Sequence, residues 1–281
     1  MNTPAFVKVA AIQMVTGDDS FLNMARADSL LRRAAQAGVK LAVLPENTFF
    51  MGTEPAQILA QAKPLDEDHP WIAFLSARSR ELDLWIVAVL PVESEIPGRV
   101  HNTAIVIDDK GELVADYHKI HLFDVDLPGD IHKESAVMAP GHRAVVVPTP
   151  WGNLGLTVCY DLRFPALYQH LRRLGADIIV VPSAFTRTTT RAHWELLIRA
   201  RAIENQCLVI APNQAGTHPG NRHTGGHSMV VDAWGRVLGE GDEENEGVIT
   251  AIFDPIEQSD IRRRMPVLEH RGLFDDTGAQ G

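Results

Sequence analysis

The chain predicts an α/β fold of two packed sheets with helices outside them, and three observations carry that prediction. Strand-like apolar runs alternate with helix-like segments whose apolar residues recur at spacings of three and four. Each half of the chain can be written as two β-α units followed by a hairpin-like end. The two ends echo each other: Ile105-Val106-Ile107-Asp108-Asp109-Lys110-Gly111-Glu112-Leu113 and Met229-Val230-Val231-Asp232-Ala233-Trp234-Gly235-Arg236-Val237 both read as strand, glycine-containing turn, strand. An internal pseudo-repeat of this kind gives two sheets that pack face to face.

Taken in order, the first half predicts strands over 7–13, 41–44, 85–91 and 103–108, with helices over 21–37 and 70–82 between them. The first strand alternates as Val7-Lys8-Val9-Ala10-Ala11-Ile12. The second half predicts strands over 154–158, 178–182, 208–212, 228–232 and 248–253, with helices over 165–174 and 193–204. Phe164-Pro165 suits the first turn of a helix, because proline is tolerated where no N–H is needed.

Composition bounds the rest. The chain has 281 residues, 45% of them hydrophobic, enough for one large core, and no Ser/Gly-rich or like-charge run divides it. A single domain over 1–274 with a polar tail over 275–281 is expected. No apolar stretch approaches the roughly 18 residues of a membrane helix, and the N-terminus lacks a signal-peptide core, so a soluble cytoplasmic protein is expected. Cys159 and Cys207 lie far apart in apolar runs, which argues against a disulfide framework. The net charge of -10 argues against a nucleic-acid or anionic-membrane partner. An anionic substrate then needs locally placed Arg, Lys or helix N-termini. The run Ile261-Arg262-Arg263-Arg264 reads as a solvated helix end.

In α/β arrangements ligands bind at the carboxyl ends of strands. That rule selects Glu46, Cys159, the stretch 183–186 and Asn213. Cys159 stands between a short buried strand and a helix-like segment, where unpaired N–H groups favour thiolate and offer donors to an oxyanion; the other reading is a buried core thiol. Glu46, in Leu44-Pro45-Glu46, is either a helix-start charge or a buried acid. Lys119, just beyond the first hairpin, reads alone as a solvated strand-end lysine. Together a carboxylate, an ammonium and a thiol supply a base, an oxyanion stabiliser and a nucleophile.

Leu44-Pro45-Glu46, His118-Lys119-Ile120-His121-Leu122-Phe123 and Cys159-Tyr160-Asp161-Leu162-Arg163-Phe164-Pro165, in that order, resemble the nitrilase (carbon-nitrogen hydrolase) superfamily over nearly the whole chain. The resemblance implies a four-layer α-β-β-α sandwich that dimerises or assembles further. It maps the family's catalytic Glu, Lys and Cys onto Glu46, Lys119 and Cys159, its second glutamate onto Glu134, and an oxyanion N–H onto Tyr160. It implies cysteine-dependent hydrolysis of an amide without cofactor or metal. His118/His121 and His218/His223/His227 lack a familiar ligand spacing and read as structural or substrate-contacting.

Further runs, Pro182-Ser183-Ala184-Phe185-Thr186, Ala192-His193-Trp194-Glu195 and Gly226-His227-Ser228, are similar to the group of deaminated-glutathione amidases and ω-amidases. Gln214-Ala215-Gly216-Thr217-His218 with Arg222 favours the former, whose reaction yields 2-oxoglutarate and cysteinylglycine. A substrate anionic at both ends needs cationic clamps. By resemblance Arg163 and Thr186 are candidates for its 2-oxo acid carboxylate, with Arg222 as a further pocket residue; the plain reading of Arg163 is an ion pair with Asp161 or Glu195. Ala166, Arg191 and Gly225 depart from the group's pattern, Arg191 adding charge and Gly225 removing an aromatic wall at the pocket rim. Asp161 reads as a helix-start acid, Glu195 as a buried charge partner and Cys207 as a core thiol. The rival readings are an ω-amidase acting on 2-oxoglutaramate or 2-oxosuccinamate, an N-carbamoyl-amide hydrolase, and a non-catalytic binding protein on the same fold.

Overall fold

A computed structural model of the chain describes residues 6–127 and 130–271. Strands β1 (Val7–Gln13), β2 (Leu41–Val43), β3 (Trp85–Glu93), β4 (Val100–Ile107) and β5 (Leu113–His118) form one sheet; β6 (Val146–Thr149), β7 (Gly152–Leu156), β8 (Ile178–Val180), β9 (Leu208–Ala211), β10 (Met229–Val231) and β11 (Val237–Glu240) form the other. The last strand, β12 (Gly247–Phe253), returns to pair antiparallel with β1, so the first sheet runs β12-β1-β2-β3-β4-β5 and the second β6-β7-β8-β9-β10-β11. In each sheet three parallel strands are flanked by antiparallel ones, which is the expected pseudo-repeat.

Strand alternation creates the layers. In β1, Val9 and Ala11 join a core that includes Leu154, Leu156, Val180 and Ile210 of the other sheet, whereas Ala10 and Ile12 join a second core with Leu30, Leu31 and Leu75. β3 divides in the same way, Val87 and Val89 inward and Ile86, Ala88 and Leu90 outward. A strand buried on both faces carries apolar residues at every position, which is why these runs are continuous.

The outer layers are α1 (Ser20–Gln36) and α3 (Pro70–Leu82) on the first sheet, α4 (Pro165–Arg173) and α5 (Arg187–Asn205) on the second. Between the first pair lies the short α2 (Pro55–Gln61), and α6 (Pro255–Arg264) follows β12. Asp19 caps α1 by accepting from the N–H groups of Phe21 and Leu22, and Ala27, Leu30, Leu31 and Ala34 form its buried stripe. α5 starts at Arg187 rather than at 193, capped by Thr186, because its Thr-rich first turns carry little helix propensity of their own. β4 begins earlier than predicted and so takes in Asn102. The long segment after β5 holds the hairpin Asp124–Leu127/Asp130–Lys133, and Ala215–His218 pairs with Arg222–Gly225; neither was predicted.

Both cysteines are free and buried, and Cys207 is the expected core thiol, donating to the Ala176 carbonyl. The expected tail over 275–281 lies outside the described residues. Among the described residues no helix is long and apolar enough to cross a membrane.

Candidate active site

Beyond β7 the chain passes Thr157 and Val158 and enters a 3-10 turn, Cys159–Arg163. Cys159 has φ of 48°, a left-handed conformation unfavourable for a side chain with a Cβ. Two contacts impose it: Cys159 N–H donates to Pro182 O at 2.9 Å, and Val158 N–H donates to Asp161 Oδ2 at 2.9 Å. Asp161 is fully buried and also accepts from Tyr117 OH at 2.7 Å and from the His121 N–H at 3.1 Å. It is therefore more than a helix-start acid, since it ties the turn holding Cys159 to the segment holding Lys119.

The thiol differs from expectation. α4 begins only at Pro165, so no α-helix N-terminus abuts Cys159. Burial pushes the thiol up, the Glu46 carboxylate adds to this, and Lys119 and the Ala184 N–H only partly oppose them, leaving it well above the ordinary thiol range. Burial and the neighbouring Glu46 carboxylate thus favour the protonated form of the thiol.

Glu46, 4% exposed, follows β2 as a buried acid. Its Oε1 accepts from Lys119 Nζ at 2.9 Å and Asn102 Nδ2 at 2.7 Å, and its Oε2 from the Ala184 N–H at 3.1 Å. Burial pushes this carboxyl up, but Lys119, Cys159 and Arg222 together outweigh it and hold it below the ordinary carboxylate value. Lys119, 1% exposed, is not a solvated lysine: Nζ also donates to Glu134 Oε1 at 2.9 Å. Burial opposes its charge, yet Glu134, Glu46 and Cys159 raise its pKa well above the usual value. Glu134 opens a 3-10 turn after the hairpin and is anchored by the Phe123 N–H, 2.6 Å from Oε2.

These groups form the floor of a cavity of about 280 Å³ whose walls include Tyr160, Arg163, Phe185, Thr186 and Arg222. Tyr160 N–H precedes the first hydrogen bond of the 3-10 turn, from Asp161 N–H to Val158 O. Arg163 pairs with neither Asp161 nor Glu195; it donates to His193 Nδ1 at 3.3 Å and lies over the rings of Tyr160 and Phe185. Thr186 caps α5 with its hydroxyl directed at Thr189 N–H. Arg222 has its Nε buried without a hydrogen-bond partner among the described residues.

Several expectations need correction. Glu195 is exposed and pairs with Arg199 one turn on, because α5 turns that face to solvent. Arg191 points away from the cavity to Glu243 at 2.9 Å. Gly225 removes no wall: a Cβ there would stand 2.2 Å from Cβ of Thr190, which fills the space. The run 261–264 is solvated only in part, for Arg262 reaches Asp177 at 2.6 Å and the Gln206 carbonyl at 3.0 Å. His121 stacks on Phe164 and His218 bonds Thr16 O and Thr224 Oγ1. Among the described residues no group of three or more His, Cys, Asp or Glu could hold a metal ion.

Sequence reasoning missed Asn102, and it named Gln214 only within the 214–218 run without its contact to Glu46. Gln214 Nε2 donates to the Glu46 carbonyl at 2.9 Å, fixing the backbone beneath the acid. Asn102 left a faint trace, the polar run His101-Asn102-Thr103 leading into the apolar run 104–107 of its strand. Asn213, selected by its strand end, holds the Phe185 N–H at 2.8 Å and the Gly226 carbonyl at 2.7 Å.

A buried carboxylate–ammonium pair and a thiol thus line one cavity on a four-layer sandwich, a set of groups chemically able to attack an acyl carbon. The chain belongs to the carbon-nitrogen hydrolase family, whose model matches residues 8–263. It is 41% identical over 270 residues to the deaminated glutathione amidase of Yersinia enterocolitica, covering 93% of this chain and 92% of that protein. It is 38% identical over 273 residues to the human deaminated glutathione amidase, covering 94% and 81%. Among solved structures, Saccharomyces cerevisiae Nit3, a member of branch 10 of the nitrilase superfamily, superposes with a TM-score of 0.85 at 31% identity over 95% of this chain and 97% of that one.

Proposed function

We propose that this carbon-nitrogen hydrolase is a deaminated glutathione amidase, cleaving the amide between the 2-oxoglutarate and cysteinylglycine halves of its substrate. The observation that carries the reading is the buried Glu46–Lys119–Cys159 cluster beneath a cavity whose walls present two arginines, one with an unpartnered buried nitrogen. The likeness to two proteins of that name supports the substrate.

In the proposed mechanism Cys159 Sγ attacks the amide carbon as its proton passes to Glu46 Oε2. Lys119 Nζ and the Tyr160 N–H take the oxyanion, each donor worth about 3 kcal/mol in the transition state. Glu46 returns the proton to the departing amine, leaving a thioester. Water then gives a proton to Glu46 as it attacks the thioester carbon, and collapse expels the sulfur, which recovers the proton from Glu46. Glu134 holds Lys119 in place throughout. Arg163 and Thr186 bind the 2-oxo acid carboxylate, and Arg222 adds positive charge beside it. No cofactor takes part. The protein acts in the cytoplasm as a metabolite-repair enzyme, on a small anion rather than on nucleic acid or membranes. Exposed Leu196 and Ile203 on α5, beside exposed Trp234, support assembly as a homodimer.

The test is release of 2-oxoglutarate from deaminated glutathione and from 2-oxoglutaramate, with Cys159→Ala as the blank. A kcat/KM at least tenfold higher on the peptide, about 1.4 kcal/mol of transition-state preference, is expected. Preference for the small amide makes the protein an ω-amidase.

A further inference from the structure

We propose that Asn102 is a positioning residue for this chemistry: its side-chain amide decides which oxygen of Glu46 exchanges a proton with Cys159, and it keeps Glu46 and Glu134 from sharing one. The inference rests on the reading of Glu46 as the base.

Asn102 lies in β4, is 5% exposed, and its backbone carbonyl accepts the Lys119 N–H at 2.9 Å. Its Nδ2 donates to Glu46 Oε1 at 2.7 Å and Glu134 Oε1 at 3.4 Å. Lys119 Nζ donates to the same two oxygens, both at 2.9 Å. Two donors and two acceptors thus close a ring in which each carboxylate offers only Oε1. Glu46 Oε2 takes no part in the ring and has the Ala184 N–H at 3.1 Å, which makes it the oxygen left to exchange a proton with the thiol in this proposal.

Two buried carboxylates this close have a strong tendency to share one proton, because like charges in a low dielectric cannot both persist uncompensated. One ammonium compensates both while it stays between them. When Lys119 turns an N–H toward an oxyanion, that compensation weakens, and the neutral amide of Asn102 has no comparable pull to follow the new charge. It stays on both Oε1 atoms and disfavours a proton there, so the proton from sulfur resides on Oε2, where the leaving amine and the attacking water can use it.

The charged and titratable groups facing this ring are Glu46, Glu134, Lys119, Cys159 and Arg222. Deleting the amide leaves all of them and removes one donor to the carboxylate form of Glu46. Proton affinity of Glu46 then rises, and the acid limb of the rate profile moves to higher pH.

The experiment compares kcat and KM against pH for the wild type, Asn102→Ala, the isosteric Asn102→Asp and Glu46→Gln, with thermal unfolding as a check on folding. For Asn102→Ala we expect kcat to fall at least tenfold, KM to stay within about twofold, and the acid limb to rise by about one unit. Asn102→Asp adds a third carboxylate and moves the limb further in the same direction; it supplies the same reading where Asn102→Ala does not fold. A fall in kcat with the limb unmoved assigns Asn102 to packing and overturns the proposal, as does wild-type kcat in both variants. Activity retained by Glu46→Gln overturns instead the reading of Glu46 as base.

Discussion

Lys119 is the residue on which the site's electrostatics turn. With 1% exposure it is among the largest fully buried side chains, and it is there because two carboxylates face it. Removing one partner of a buried ionic cluster leaves the others uncompensated, at a cost of about 3–5 kcal/mol. Lys119→Met is therefore expected to lower the denaturant midpoint and to reduce kcat by about 10²–10³-fold, the loss seen when an oxyanion donor goes. The resting pair, a carboxylate held below its ordinary range and a thiol held above its own, fixes the pH behaviour. In the proposed mechanism activity needs Glu46 ionised and Cys159 carrying the proton, so kcat/KM is expected to stay level from about pH 5 to about pH 8, falling as acid protonates Glu46. Arg163→Lys should raise KM for anionic amides, because a planar guanidinium seated on two rings becomes a flexible point charge; an unchanged KM removes the clamp role. A different residue sets stability in acid. Burial pushes His218 down to about 4 from 6.5. Between those values the unfolded chain binds the proton and the folded one does not, so stability declines as pH falls through the window, by at most about 3 kcal/mol. His218→Gln should flatten that part of the pH–stability curve measured by urea unfolding.

At the scale of elements, α5 and the strand Arg222–Gly225 pack so closely that one position excludes the other. A Cβ on Gly225 meets Cβ of Thr190 at 2.2 Å, inside the helix whose cap is Thr186. Gly225→Tyr should destabilise the protein by about 1–3 kcal/mol or more through overpacking, and Thr190→Gly should recover part of the loss even though glycine within a helix costs about 1 kcal/mol. Strands buried on both faces and amphipathic helices were legible because their patterns are local. Pro70–Leu82 matches its predicted bounds, and β1 its own. The hairpin Asp124–Lys133 and the first turns of α5 were not legible, since short polar segments acquire their order from what they pack against. Glu46, Lys119 and Cys159 were legible as strand-end polar residues with motif neighbours. Asn102 was legible only as a polar strand residue, and its pairing with Glu46 and Glu134, 56 and 32 residues away in sequence, was not.

For the molecule as a whole, the pseudo-repeat gives each sheet a parallel centre, and the carboxyl ends of β2, β7 and β8 bring Glu46, Cys159 and the 184–186 stretch to one cavity, while Asn213 after β9 holds the Phe185 N–H from outside its lining. Arg262 of α6 clasps the second sheet through Asp177, the Gln206 carbonyl and the Ala176 carbonyl. Arg262→Ala should lower stability by about 1–3 kcal/mol while leaving kcat/KM unchanged, which thermal unfolding and the amidase assay measure together. The return of β12 to β1 has a further consequence in time. Gln13 pairs with Gly247, 234 positions further along the chain. A ribosome adding about 5–20 residues per second leaves the edge of β1 open for roughly 12–47 s after it is made. During that interval the first sheet has an unguarded border to which another nascent chain can add, so yield during synthesis is governed by how fast the last strand arrives as well as by the stability of the finished fold.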